Sequence, residues 1–310
     1  MPPTTIKINF VDFCPELFSP QGCRLTRQLM PHFPIEISTK PDYLFFSVFG
    51  TSHRDPRFDR CIKILCLAEN IRPDFTVCDY AMSFDYLDNP RHLRVPYYSD
   101  WSFYLERDLG KSLVKSTDHD PKSILDSKTK FCNFVYSNGW AKERLEFLEL
   151  LSRYKRVDSG GRIKNNLGFR VTNKLDFISS YKFTIAFENA SHPGYVTEKL
   201  IEPMLVDSLP IYWGSPQVSE EFNPRSFIDC HEHPDWHSVI EKIINLDQDD
   251  SLYLERLKEP WLHDNKTNAC CRPCYMIPFF QRVFADKSPR IKGPVVRTTV
   301  PGCGSWQIIL

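Results

Sequence analysis

The densest run of chemically capable residues is Tyr181–Pro216, YKFTIAFENASHPGYVTEKLIEPMLVDSLPIYWGSP. An apolar strand over Tyr181–Phe187 delivers Glu188 and Asn189 into a loop at its carboxyl end. The pattern predicts a helix over Tyr195–Val206, which puts Tyr195, Glu198 and Lys199 at i, i+3 and i+4, on one face. Ligands of open parallel sheets bind beyond the carboxyl ends of the strands, beside helix N-termini. A helix start favours negative charge and Lys199 adds a full positive one, so this junction suits a diphosphate and needs no metal. Glu198 could accept hydrogen bonds from sugar hydroxyls, and Tyr195 offers a ring face and a hydroxyl. A plainer reading makes Glu198 a first-turn acid complementing the helix dipole and Lys199 half of a solvated pair. Convergence of four polar groups on one strand–helix junction favours the site.

Alternating strands and helices must position these groups. Strands are expected at Ile6–Val11, Asp42–Phe49, Cys61–Ala68, Tyr80–Phe84, Phe131–Tyr136, Tyr181–Phe187 and Leu209–Trp213. Helices are expected at Leu25–Pro31, Ala141–Tyr154, Tyr195–Val206, Trp236–Leu246 and Ser251–Leu257. In Ala141–Tyr154 the apolar stripe reads Phe147, Leu150, Leu151, Tyr154. Pro203 should kink its helix or end it early. Continuous apolar strands imply parallel sheets covered on both faces. From Pro96 to Lys130 the periodicity dissolves, which reads as loop and linker. The organisation is therefore two α/β units facing a cleft: residues 1–125 with the linker, residues 126–285, and an irregular tail over 286–310.

The chain has 310 residues, 42% hydrophobic and 25% charged, which suits a globular protein of one large or two medium domains. Lys plus Arg and Asp plus Glu each number 39, so no basic excess points to nucleic acid or an anionic membrane. An anionic ligand must be held by locally placed cations. No secretory n-region or membrane-length apolar run is visible. The 11 cysteines are scattered; Cys61, Cys66, Cys78 and Cys132 sit in apolar runs where a thiol acts as a small hydrophobe. A cytoplasmic enzyme is the default expectation; a Golgi-lumenal fragment or peripheral membrane association is the alternative.

FxxxFEN…GYVTEKL…PIYWG resembles the signature of the GDP-fucose-dependent α-1,3-fucosyltransferases, glycosyltransferase family 10. Further pieces stand in family order: KPDYLFFSVFG at 40–50, AENIRPDF at 68–75, DYAMSFDYLD at 79–88, RHLRVPYY at 91–98, FVYSN at 134–138 and YKRVDSGGRIKNNLG at 154–168. The resemblance implies a GT-B fold of two Rossmann-like domains, the first binding acceptor and the second GDP-fucose. It carries donor-binding roles to Asn189, Tyr195, Glu198 and Lys199, and a diphosphate contact to Arg144. From the sequence alone, Arg144 reads as a surface charge.

The resemblance further implies inversion, because a β-linked donor yields an α-linked product. One carboxylate then takes the acceptor proton as that oxygen attacks the anomeric carbon. Glu69, at the end of the strand CIKILCLA, matches the proposed base of the family. Its plainer role is capping the next turn. Asp79, Asp85 and Asp88 are the reserve carboxylates. Charge builds on the β-phosphate oxygen as GDP leaves, and Arg144 and Lys199 can neutralise it. No Asp-x-Asp stands at a strand end, so no essential metal and no cofactor besides the donor is expected. The acceptor implied is O3 of GlcNAc in an N-acetyllactosamine-type glycan. Two rivals are a GT-B transferase of another sugar nucleotide and a glycan-binding module without turnover.

Other signals are weaker. Cys270, Cys271 and Cys274 with His263 make half a zinc site at most; Cys271-x-x-Cys274 resembles a disulfide pair of animal fucosyltransferases. His231, His233 and His237 read as surface residues. Tyr97, Tyr98, Trp101 and Tyr104 could stack on sugars or simply fill a core.

Overall fold

The computed structural model describes residues 5–14, 18–101, 112–272 and 274–291. Two compact units emerge, Met1–Val95 with Pro273–Leu310, and Pro96–Arg272. The division thus falls at Val95/Pro96, ahead of the expected 125/126. The C-terminal segment belongs with the first unit and not the second. The tail beyond residue 291, and Tyr104, lie outside the described residues. No described helix is long and apolar enough to cross a membrane.

In the first unit, β1 (Ile6–Val11), β2 (Ile35–Ile37), β3 (Tyr43–Phe46), β4 (Ile62–Cys66), β5 (Tyr80–Ser83) and β6 (His92–Arg94) form one sheet in the order β2-β1-β3-β4-β5-β6. Every pairing is parallel. All four residues of β3 are buried, which is why it reads as an unbroken apolar run. Helix Ile277–Ala285 explains why the C-terminal segment joins this unit. Phe284 packs edge-on against Tyr43, and the Tyr43 hydroxyl donates to the Phe284 carbonyl at 2.8 Å.

The second unit carries β7 (Lys130–Phe134), β8 (Val157–Ser159), β9 (Tyr181–Phe187), β10 (Leu209–Trp213) and β11 (Ile228–Asp229), in the order β11-β10-β9-β7-β8. Again every pairing is parallel. Its core gathers Phe183, Ile185 and Phe187 of β9 with Phe147 and Leu151 of helix Lys142–Tyr154 and Ile243 of helix Trp236–Gln248. Each such fully buried side chain contributes roughly 1.5–3 kcal/mol.

Helix Lys142–Tyr154 buries Arg144, Phe147, Leu148 and Leu151, at i, i+3, i+4 and i+7. The buried stripe therefore runs beside the expected one; Leu150 and Tyr154 are only partly covered, and an arginine heads the row. The stretch read as linker holds helices Tyr97–Trp101 and Pro121–Ser127. The second is capped by Asp120, whose side chain accepts from the Lys122 N–H, with proline in its first turn.

Candidate functional site

The carboxyl end of β9 runs into the loop 188–197, which helix Glu198–Leu205 follows. This helix starts later than the sequence pattern implies. Thr197 is its N-cap, in extended backbone, with its hydroxyl accepting from the Lys199 N–H. Tyr195 therefore lies outside the helix and shares no helical face with Glu198 and Lys199. Gly194, at φ +78°, turns the chain just before, a left-handed conformation that costs glycine little. Pro203 sits inside the helix, which ends two residues later at Leu205. The Pro203 carbonyl then accepts from the Val206 and Ser208 N–H groups at 3.2 and 3.0 Å.

Loop 188–197 is sewn to the end of β10. The Glu188 N–H donates to the Trp213 carbonyl at 2.8 Å and the Gly194 N–H to Ser215 Oγ at 2.9 Å. The Tyr212 hydroxyl donates to the Tyr195 carbonyl at 3.2 Å and accepts from the Ser215 N–H at 3.0 Å. These bonds leave the Tyr195 side chain buried, where an open ring face was expected.

Arg144 is 0% exposed, which corrects the reading of it as a surface charge. Its Nη2 donates to the carbonyls of Phe187 and Glu188 and to Asn189 Oδ1, each at 2.9 Å. Nη1 donates to the Asn138 carbonyl at 3.0 Å, and Nε is buried with no hydrogen-bond partner among the described residues. The guanidinium thus ties the loop after β7 to the loop after β9 and fixes the Asn189 amide. A cation in a helix's first turn opposes the macrodipole. That conflict, together with its register on the buried stripe, is the sequence signal that marks Arg144 as more than a surface residue.

Lys199 Nζ donates to Thr197 Oγ1 at 3.1 Å and to Glu198 Oε1 at 3.0 Å, and lies 3.4 Å from Glu188 Oε2. The cation expected at this helix start is therefore flanked by two carboxylates. Burial works to lower the Lys199 pKa, but Glu198 and then Glu188 outweigh it and hold the ammonium well above its ordinary range. Burial works to raise the Glu198 pKa, and Lys199 and Lys174 overcome it, so that carboxylate is held below the ordinary range. Lys174, in helix Lys174–Ile178, pairs with Glu202 at 2.5 Å, one helical turn beyond Glu198.

Glu188 has no role in the sequence reading, yet it joins the other groups. Its carbonyl holds Arg144, and its carboxylate holds Thr197 and faces Lys199. The available signal was an acid directly after the apolar run Ile185-Ala186-Phe187, where an unpartnered charge would be costly.

Glu69 belongs to the first unit. It is partly buried, in a bend three residues past the end of β4, and its carbonyl accepts from the Ile71 N–H at 2.7 Å. Two of the reserve carboxylates are occupied. Asp79 is buried and accepts from the N–H groups of Lys63 at 2.7 Å and Arg290 at 2.6 Å. Asp85 is buried against Arg72 and accepts from the Ser83 hydroxyl at 2.7 Å. Asp88 is exposed. Among the described residues no three His, Cys, Asp or Glu side chains converge as metal ligands. His231 is exposed as expected, with its ring stacked on Trp213.

Residues 8–103 match the family described as "Alpha-(1,3)-fucosyltransferase FucT N-terminal domain", and residues 125–278 match "Glycosyltransferase family 10 (fucosyltransferase) C-term". The chain belongs to glycosyltransferase family 10. It is 34% identical over 243 residues to the α-(1,3)-fucosyltransferase FucT of Helicobacter pylori, covering 70% of this chain and 51% of that protein. The chain thus spans about half the length of that curated relative. A crystal structure of an α1,3-fucosyltransferase with GDP superposes with a TM-score of 0.79 at 27% identity, covering 94% of each chain. One with GDP-fucose gives 0.77 at 27% identity, covering 94% of this chain and 93% of the other. The family's GT-B fold accounts for the two parallel sheets of this member.

Proposed function

We propose that the protein transfers L-fucose from GDP-fucose to a hydroxyl, with inversion, and that the acceptor is O3 of GlcNAc in an N-acetyllactosamine-type glycan. One observation carries the donor assignment: Arg144, Asn189, Glu198 and Lys199 meet at the carboxyl end of β9, linked through Glu188. Family relatives crystallised with GDP and with GDP-fucose support it.

The acceptor hydroxyl attacks the anomeric carbon of fucose, and Glu69 takes its proton. The bond between that carbon and the β-phosphate oxygen breaks, and GDP departs with the electron pair. Lys199 meets the charge growing on that oxygen, as a donor placed where charge develops in the transition state. Arg144 adds its charge and holds Asn189 Oδ1, which leaves the Asn189 amide N–H2 for the donor. Glu198 is the site's partly exposed carboxylate; it releases Lys199 to the phosphates and accepts from fucose or ribose hydroxyls. Tyr195 acts through its packing in the loop that carries these groups.

Incubation with GDP-fucose and N-acetyllactosamine, with the linkage assigned by NMR, tests this reading. Equimolar GDP and an α-linked fucose on O3 are expected. Fucose on another position overturns the acceptor assignment; turnover of UDP- or ADP-sugars alone overturns the donor.

A further inference from the structure

We propose that Glu188 is a positioning residue that anchors Lys199 at the donor phosphates through Thr197, an inference that rests on the donor reading above. Lysine carries its charge on a flexible four-carbon stem, so an ammonium that must meet one phosphate oxygen needs a fixed partner. Glu198 is a poor anchor. Its side chain is 21% exposed, and sugar hydroxyls compete for its oxygens. The Glu188 side chain is 0% exposed.

The hydrogen bonds around Glu188 run in one direction. Lys199 Nζ only donates, and it donates to Thr197 Oγ1 at 3.1 Å. The single hydroxyl proton of Thr197 must then go to Glu188, whose Oε2 lies 2.7 Å away. Glu188 Oε1 accepts the Thr197 N–H at 2.7 Å. Backbone and side chain of Thr197 are both held by one carboxylate, and the ammonium is held by Thr197 and by that carboxylate's charge.

The anchor itself cannot swing away. A Cβ on Gly214 would lie 2.4 Å from Glu188 Cγ, so the backbone after β10 closes directly over the glutamate stem. The Glu188 carbonyl is fixed in turn by Arg144 at 2.9 Å. Glu188 therefore stays in place when phosphate draws Lys199 away from Glu198, and it keeps the ammonium over the leaving oxygen.

A double-mutant cycle tests this. Glu188→Gln keeps the shape and an acceptor for the Thr197 N–H, but it removes the charge and turns an N–H2 toward Thr197 and Lys199. A catalytic group displaced by about 1 Å loses on the order of 10²-fold in rate. The expected loss in kcat/KM for GDP-fucose is about 10- to 100-fold. In a Lys199→Met background the same change should cost less than about threefold, because the group it positions is gone. Thermal melts of each variant report folding, and calorimetric titration with GDP reports donor binding. Thr197→Val breaks the same linkage while leaving Glu188 intact, and its loss should likewise vanish beside Lys199→Met, which decides the matter if Glu188→Gln does not fold. Equal losses in both backgrounds, or none in either, overturn the positioning role alone. A wild-type protein that neither binds GDP nor uses GDP-fucose overturns the donor reading and this inference with it.

Discussion

The guanidinium carbon of Arg144 lies 3.9 Å from the ring centroid of Tyr136, so the cation sits over the phenol face. The Tyr136 hydroxyl donates to the Ile185 carbonyl and accepts from the Phe187 N–H, each at 2.8 Å. The β7–β9 ladder runs only to Asn133 and Thr184. One side chain therefore replaces the missing ladder at the end of β9 and supports the arginine that orders the next loop.

Tyr136→Phe keeps the ring beneath Arg144 but leaves the Ile185 carbonyl and Phe187 N–H buried without that partner. A loss of about 1–3 kcal/mol in unfolding free energy is expected from urea denaturation. Unchanged stability would show that the hydroxyl bridge contributes nothing to the end of β9.

Arg144→Lys preserves the charge but not the fork. A single ammonium cannot serve the carbonyls of Asn138, Phe187 and Glu188 and Asn189 Oδ1 together. Stability should fall by at least about 2 kcal/mol, the loss of one or two charge-assisted hydrogen bonds. GDP affinity should fall with it, because Asn189 loses its fixed orientation. Calorimetry showing normal GDP binding in a stable variant would contradict this role.

His92 makes the first unit sensitive to acid. Its Nε2 lies 2.9 Å from Ser83 Oγ, whose proton goes to Asp85, so the imidazole donates there. Burial lowers its pKa to about 4, against the pull of Asp85 and with the push of Arg94. The unfolded chain takes up this proton near pH 6.5 and the folded chain only near 4. The stability from the neutral ring is complete above about pH 6.5 and drains away as pH falls toward 4. Melting curves from pH 7.5 to 4.5 should show a smaller decline for His92→Gln than for wild type; parallel declines would exclude His92 as the source.

Glu69→Gln should lower kcat by about 10²- to 10⁴-fold, the usual contribution of a positioned base. Affinity for GDP should stay the same, since Glu69 and the donor groups lie in different units. Near-normal kcat would remove Glu69 from the chemistry.

Strands buried on both faces were legible in the sequence. β9 and β10 have the bounds read from their apolar runs; β1, whose sequence is broken by Lys7 and Asn9 and which buries only Ile8, also has the bounds expected of it. The strands not foreseen, β2, β6, β8 and β11, are the outer strands of the two sheets, each only two or three residues long. Short edges limit pairing with other chains, and so short a strand shows no periodicity. The family motifs single out Asn189, Glu198 and Lys199, and all three lie at the one junction after β9. The helix start was misplaced because Tyr-Val-Thr continues the apolar spacing, while the Thr197 cap decides where helical backbone begins. Burial of Arg144 and the linking role of Glu188 depend on loops distant in sequence, 136–138 and 212–215, which no local pattern reports.

The central claim is that the junction after β9 binds the diphosphate of GDP-fucose through Lys199. Calorimetric titration of GDP, UDP and ADP into wild type and Lys199→Met tests it most directly. GDP should bind wild type in preference to UDP and ADP, with its affinity at least tenfold weaker in Lys199→Met. Equal GDP affinity in the two proteins, or a preference for UDP or ADP, would contradict it.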